Sequence, residues 1–140
     1  MNLVVDASVA LKWFFGDNPG EQDSGKAREI LSALASRQIV LVQPPHWVAE
    51  ILAVVARQTP HLAAETLAIL LSTSCRLADD EIIYSRACEL SSRLKQHLFD
   101  TLYHAVAIEN DATLVTADER YFAIARGEGK IELLHSTKLR

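Results

Sequence analysis

The sequence has few cysteines, no long apolar run and no excess of positive charge, and each absence excludes a class of protein. Its two cysteines, Cys75 and Cys88, lack the Cys-x-x-Cys spacing of metal and redox sites, so we expect reduced, buried or half-buried thiols in a cytoplasmic protein. No stretch approaches the roughly 20 apolar residues that cross a membrane. Residues 1–15 include an acid, Asp6, and no basic segment, so we expect no signal peptide.

The charge balance is mildly acidic, with 18 Asp and Glu against 14 Lys and Arg and a net charge of −4. Binding to nucleic acid through bulk positive charge is therefore not expected. This balance does not exclude a nuclease, because acids gathered in one pocket and neutralised by metal would leave the remaining surface nearly neutral. Any basic surface must then be local.

The pattern of apolar residues predicts one α/β domain over residues 1–140, of which 49% are hydrophobic. Strand-like runs cover residues 3–5, 39–42, 113–115 and 131–134. Helical patterns cover residues 8–15, 25–36, 45–57, 61–72, about 80–95, 99–109 and 118–125, with Pro45 and Pro60 in the first turns of their helices. This alternation is typical of a parallel sheet flanked by helices.

Four acids from separated stretches are candidates for one site: Asp6, Glu50, Asp100 and Asp118. Asp6 and Asp118 each follow a strand-like run, so both would lie at the carboxyl edge of the sheet if their strands are neighbours. Glu50 and Asp100 lie on helices that can reach the same edge. Carboxylates are ligands suited to Mg²⁺ or Mn²⁺, and without a cation they would repel one another. A metal-dependent phosphodiester hydrolysis fits this set of residues.

Four segments in this order resemble the motifs of PIN-domain proteins, in particular the VapC toxins of toxin–antitoxin pairs. They are LVVDASVALKWF at residues 3–14, PHWVAEI at 45–51, FDTLYHAVA at 99–107 and ATLVTADER at 112–120. The resemblance extends from residue 3 to about residue 134, and the motifs are specific when they are taken together.

The resemblance implies a PIN-like α/β/α sandwich with a central parallel sheet of four to five strands. It also implies an endoribonuclease that uses Mg²⁺, with Mn²⁺ as a substitute. Asp6 and Asp100 match the positions that hold the metal most directly. Glu50 matches the acid that completes the metal site, and Asp118 matches the last acid, which often binds the metal through a water molecule.

Other positions follow from the same resemblance or from their nearness to these acids. Ser8 and Thr116 match hydroxyl positions that orient acids or water. Lys12 and Arg120 are the basic residues nearest to site acids in sequence and are candidates for phosphate contact. Related toxins form homodimers and are inhibited by a VapB-type antitoxin whose C-terminal segment covers the acidic groove, so we expect these partners together with RNA and no membrane.

Simpler roles remain open for several of these residues. Asp6 and Asp118 could be N-caps of the helices that follow them. His104 lies one helical turn after Asp100 and could face the site, although core packing is the default expectation. We expect Tyr103 to pack within the fold and not to stack on a base. Trp13 and Phe14 suit either an interface or the core.

Two other functions share part of this sequence pattern. A phosphatase of the haloacid-dehalogenase type would place a second acid two residues after Asp6, where this chain has Ser8. The sequence also lacks the Gly-rich loops that hold phosphate. A non-catalytic PIN module that only binds RNA or a partner would be expected to have lost one or more acids, and all four are present.

Overall fold

The structure is a computed structural model that describes residues 1–16, 18, 20 and 22–139. Its strands are β1 (Asn2–Val5), β2 (Val40–Gln43), β3 (Arg76–Leu77), β4 (Thr113–Thr116) and β5 (Ile131–Leu133). Its α-helices are α1 (Ala7–Phe15), α2 (Ser24–Ala35), α3 (Trp47–Gln58), α4 (Ala63–Ser72), α5 (Glu81–Leu94), α6 (Leu98–Glu109) and α7 (Glu119–Ala125). Short 3-10 turns cover Pro60–Leu62, Arg126–Glu128 and Leu134–Ser136.

The strands form one parallel sheet in the order β3-β2-β1-β4-β5, which confirms the predicted parallel sheet. β1 lies in the middle and pairs with β2 on one side and β4 on the other. Its residues Leu3, Val4 and Val5 are fully buried, as expected of an apolar strand covered on both faces. The strand that precedes Asp6 and the strand that precedes Asp118 are therefore neighbours, as the sequence analysis required.

Helices cover both faces of this sheet, which confirms the α/β/α sandwich. The chain moves from β1 through β2 to β3 in one direction and then crosses back to β4 and β5 on the other side of β1. Since crossovers between parallel strands are right-handed, α1 to α4 cover one face and α5 to α7 the other. In agreement with this, α1 packs on β1 and β4, and α6 packs on β1, β2 and β4.

The predicted start of the third helix at Pro45 is wrong. Residues 44–47 form a turn in which the Trp47 N–H donates to the Pro44 carbonyl at 3.2 Å, and α3 begins only at Trp47. Pro45 occupies the second position of this turn, where its fixed φ is favourable. A proline suits both the first turn of a helix and this turn position, so the sequence pattern alone does not distinguish them.

The structure also contains a strand that the sequence pattern did not predict. β3 has only two residues, both exposed, and lies at the sheet edge, in the segment between the predicted helices at residues 61–72 and about 80–95. It pairs in parallel with the last two residues of β2, Val42 and Gln43, and the Ala78 N–H donates to the Gln43 carbonyl at 2.9 Å. An exposed pair of residues is too short to show the alternation by which a strand is identified.

The cysteines are free in the structure. Cys75 is half-buried as expected, but Cys88 is exposed and the prediction for it is wrong. α5 turns Ile83, Ala87 and Leu90 toward the core, and the helical period carries Cys88 out of that face. Among the described residues, no helix has both the length and the apolar character needed to span a membrane.

Candidate active site

Asp6 lies between β1 and α1, at the carboxyl edge of the sheet. Its Oδ1 accepts hydrogen bonds from the Ser8 hydroxyl and, at 3.3 Å, from the Val9 N–H, while its Oδ2 accepts from the Thr116 hydroxyl. The bond from Val9 makes Asp6 the N-cap of α1. The capping role that the sequence left open is thus present. It uses only one of the several hydrogen bonds that a carboxylate can accept.

The two hydroxyls that hold Asp6 also join the loops after β1 and β4. Ser8 Oγ accepts the Ala117 N–H at 3.0 Å, and Thr116 Oγ1 accepts the Asp118 N–H at 3.0 Å. Each hydroxyl therefore accepts from the β4 loop while donating to Asp6. This arrangement fixes both oxygens of the carboxylate relative to the junction of β1 and β4.

The electrostatic environment opposes ionisation of Asp6. Burial, together with a smaller effect of the charge of Asp100, outweighs the hydrogen bonds from Ser8, Thr116 and Val9, and the pKa of this carboxyl group is raised to about 6. The carboxylate is thus held in place by hydrogen-bond donors, although the net effect of its surroundings is unfavourable to its charge. A cation beside Asp6 would stabilise its ionised form.

Glu50 lies in the first turn of α3, and its two partners come from different parts of the chain. The Tyr103 hydroxyl donates to Oε1 at 2.6 Å, and His46 Nε2 lies 3.4 Å from the same oxygen. Burial by itself would raise the pKa of Glu50, but these two partners and the nearby imidazole of His97 outweigh it, so the pKa is lowered. The structure therefore keeps Glu50 ionised.

Asp100 and Asp118 complete the set of acids. Asp100, the third residue of α6, is exposed as a whole residue, yet partial burial of its carboxyl group and repulsion by Glu50 and Asp118 raise its pKa. Asp118 is the N-cap of α7, where its Oδ1 accepts the Tyr121 N–H at 2.9 Å. The four acids are close enough for their charges to interact across the end of β1.

The donor chemistry of this edge fits a divalent cation, although the side chains are not arranged around one. Among the residues the structure describes, no three His, Cys, Asp or Glu side chains are grouped so as to hold a metal ion. Glu50 and Asp118 are each engaged by a partner, Tyr103 and the Tyr121 N–H respectively. The carboxylate oxygens are nevertheless the ligands that Mg²⁺ prefers, and the mutual repulsion that raises the pKa of Asp100 is what a cation would relieve.

The two basic candidates lie at different places near these acids. Lys12 lines a cavity of about 370 Å³ together with Asp118, Asp23 and His135. Arg120 is exposed on α7, two residues after Asp118. Their contact with phosphate stays a prediction.

His104 does not face the acids. It is fully buried, with Nδ1 at 3.0 Å from the Tyr121 hydroxyl and Nε2 at 2.8 Å from the Gly129 carbonyl oxygen. Its ring joins α6 to α7 and to the turn before β5, which agrees with the default expectation of core packing. Trp13 is partly buried and donates its indole N–H to the Ala27 carbonyl at 2.9 Å, so it helps to pack α1 on α2.

The sequence analysis did not single out Gln43, which supports the end of β1. Its side chain is fully buried, its Oε1 accepts the Val5 N–H and its Nε2 donates to the Val5 carbonyl, both at 2.9 Å. The amide thus satisfies the two backbone groups directly before Asp6. The only sequence signal for Gln43 was a polar residue at the end of the apolar strand VLVQ. The contact of His46 with Glu50 was not predicted either, because His46 is not spaced from other residues as a metal ligand would be.

Comparisons with known proteins agree with this fold. The PIN domain family model matches residues 3–127. Comparison with curated protein sequences gives no match.

Among solved structures, a Mycobacterium tuberculosis toxin, VapC20, described as cleaving the Sarcin-Ricin loop, is similar with 23% identity and a TM-score of 0.65, over 86% of this chain and 93% of that one. VapBC2 from Rickettsia felis, bound to a DNA fragment from its promoter, has 19% identity and a TM-score of 0.67 over 95% and 98% of the two chains. VapBC-1 from nontypeable Haemophilus influenzae has 15% identity and a TM-score of 0.69 over 97% and 100%.

Proposed function

The chain belongs to the PIN domain family, and from this premise we propose that it is a divalent-metal-dependent endoribonuclease, the toxin of a type II toxin–antitoxin pair. The solved structures it resembles include a toxin described as cleaving the Sarcin-Ricin loop and two VapBC structures. At their low identities these neighbours support the fold. The activity is proposed from the acids themselves.

One observation carries the proposal: the Asp6 carboxylate is held on both oxygens by Ser8 and Thr116 although burial raises its pKa to about 6. A carboxylate whose only role is to cap a helix needs one hydrogen bond from a backbone N–H of that helix. Here two further donors, one of them from another strand, fix the orientation of a group that is costly to ionise. Such preorganisation is typical of a carboxylate that binds a ligand.

The proposed roles follow from position. Asp6, Asp100, Glu50 and Asp118 would hold Mg²⁺, with Mn²⁺ as a substitute, and the bound ion would supply a water of lowered pKa for attack on the phosphodiester. Ser8 and Thr116 orient Asp6, so that its oxygens do not have to reorganise.

Polar and basic groups around these acids have proposed roles as well. Tyr103 and His46 keep Glu50 ionised and limit the positions its side chain can take. Lys12 and Arg120 would contact phosphates of the RNA.

The proposed partners are a VapB-type antitoxin whose C-terminal segment covers the acidic edge, and a second copy of the chain in a homodimer. We further propose that residues 1–140 form a single PIN domain that acts in the cytoplasm. The common sheet of all the strands described supports the single domain. Light scattering on the purified chain tests the dimer, and a strict monomer at high concentration would contradict it.

The activity is tested by incubating total RNA with the purified, antitoxin-free protein in Mg²⁺, in Mn²⁺ and in EDTA. Asp6→Asn, prepared identically, controls for a contaminating nuclease. Discrete fragments that require metal and disappear with Asp6→Asn are expected. Equal cleavage by both proteins, or cleavage in EDTA, would contradict the proposal.

The second candidate function is a non-catalytic module that binds RNA or a protein partner. The observation that favours it is that no three acidic side chains within the described ranges are grouped around a metal position. RNA binding that persists without cleavage in any metal would support this module.

A further inference from the structure

One aromatic ring at the acidic edge is exposed where a buried position would be more favourable. Phe99, the residue before Asp100, is 46% exposed, whereas Tyr103 one turn later in α6 is 1% exposed. Complete burial of a phenylalanine side chain is stabilising, so this exposure forgoes part of that stabilisation. The position of the ring beside Asp100 therefore calls for an explanation.

Phe99 is also held more firmly than an exposed residue usually is. The imidazole of His97 lies edge-on at 4.9 Å between ring centroids, and its Nδ1 accepts the Phe99 N–H at 3.1 Å. The ring of His46 lies at 5.2 Å on a tilted plane, and its Nε2 is 3.0 Å from the Phe99 carbonyl oxygen. Two imidazoles thus fix both the backbone and the ring, so little conformational entropy is lost when a ligand binds.

The surroundings of Phe99 indicate which kind of ligand fits. The two rings in contact with it, those of His46 and His97, are polar, and the carboxylate of Asp100 follows it directly in the chain. The carboxylates of Glu50 and Asp100 lie close to these imidazoles and would repel a phosphate that is not bound to metal. A flat, neutral group fits this position best.

We propose that Phe99 is a stacking platform for one unpaired nucleobase next to the phosphate that is cleaved, an inference that rests on the proposed function. Single-stranded RNA presents its bases for stacking on aromatic side chains, and every base has a face that can stack. The platform fixes the register of the strand relative to Asp100. His46 and His97 hold the ring, and they do not need to contact the base.

Binding is measured in the Asp6→Asn background, where RNA is not consumed, by fluorescence anisotropy of labelled oligo(U), oligo(A) and oligo(C). Phe99→Leu removes the aromatic face and is expected to weaken binding by about 5- to 150-fold, which corresponds to 1–3 kcal/mol. Phe99→Trp is expected to keep the affinity. Tyr84→Leu is the matched control, because Tyr84 is 44% exposed on α5, and it is expected to have no effect. Circular dichroism checks that each variant is folded.

Oligonucleotides carrying one abasic nucleotide at successive positions locate the stacked base. An abasic nucleotide at one position is expected to weaken binding to the protein that contains Phe99. The same oligonucleotide is expected to bind the Phe99→Leu protein as tightly as the intact one does. Equal affinity of both proteins, or equal sensitivity to every abasic position, would overturn the platform. Loss of antitoxin binding by Phe99→Leu with unchanged RNA affinity would overturn it in favour of a protein contact.

These outcomes separate the platform from the proposed function. If the otherwise unchanged chain cleaves RNA and Phe99→Leu does so with the same KM and kcat, the platform alone is wrong. If no variant binds RNA and the unchanged chain does not cleave it, the proposed function is wrong, and the platform with it.

Discussion

Replacing Asp6 by asparagine is expected to stabilise the metal-free protein near neutral pH, because it removes a charge that the fold does not compensate. Burial raises the pKa of Asp6 from 3.8 to about 6. Ionising this group in the folded rather than the unfolded chain therefore costs about 3 kcal/mol. Asparagine carries no charge and avoids this cost.

The gain is partly offset, and it depends on pH. Asparagine is as good an N-cap as aspartate, but its amide group would face the Thr116 hydroxyl and forfeit a hydrogen bond worth about 1 kcal/mol. The net gain near neutral pH is then about 2 kcal/mol. The contribution of Asp6 to stability is fully present below its unfolded pKa of 3.8 and is lost as the pH rises through its folded pKa of about 6. In acid, Asp6→Asn should therefore be about 1 kcal/mol less stable than the unchanged protein.

Urea unfolding in EDTA, from about pH 4 to about pH 8, measures this difference, and the shared titration of other groups cancels between the two proteins. Asp6→Ala, which also removes the cap, should be about 1 kcal/mol less stable than Asp6→Asn at every pH. A stability difference that stays flat with pH, or an Asp6→Asn protein that is destabilised at neutral pH, would refute the reasoning. The second outcome would mean that Asp6 acts mainly as a structural cap.

Three other substitutions test the contacts around the acids. Ser8→Ala removes a donor to Asp6, so the NMR titration of that carboxyl group should move to higher pH, and an unchanged midpoint would contradict the assigned bond. Tyr103→Phe should raise the pKa of Glu50, measured by the same NMR titration, and lower the unfolding free energy by about 1 kcal/mol. A pKa of Glu50 that does not change when the hydroxyl is lost would refute the contact. Gln43→Leu leaves two buried backbone groups unpaired and should cost about 2–4 kcal/mol in urea unfolding, and a loss below about 1 kcal/mol would show that water replaces the amide.

The sequence was sufficient to predict where the strand ends place Asp6 and Asp118. Apolar runs of three or four residues in this α/β pattern mark buried parallel strands, and the first residues after each run must lie at the carboxyl edge. The adjacency of β1 and β4 was a requirement of the prediction, and the strand order confirms it. The positions of Glu50 and Asp100 on helices were predictable from periodicity alone.

The N-cap contacts of Asp6 and Asp118 were open from the sequence, whereas the contacts of Glu50 with Tyr103 and His46 were not predictable from any local pattern. His46 has no ligand spacing, yet the turn at Pro45 places its ring between Phe99 and Glu50. Gln43 pairs with Val5 through its side chain, which no local pattern signals.

The central claim, that these carboxylates hold a divalent cation, is tested most directly by measuring Mn²⁺ binding through the electron paramagnetic resonance signal of the free ion. The unchanged protein should bind Mn²⁺, and Asp6→Asn and Asp100→Asn should each weaken binding by about tenfold or more, since each removes a charged ligand. Asp111→Asn, which removes an exposed acid paired with Lys130, is the matched control and should bind Mn²⁺ unchanged. Equal Mn²⁺ affinity in all four proteins would contradict the claim.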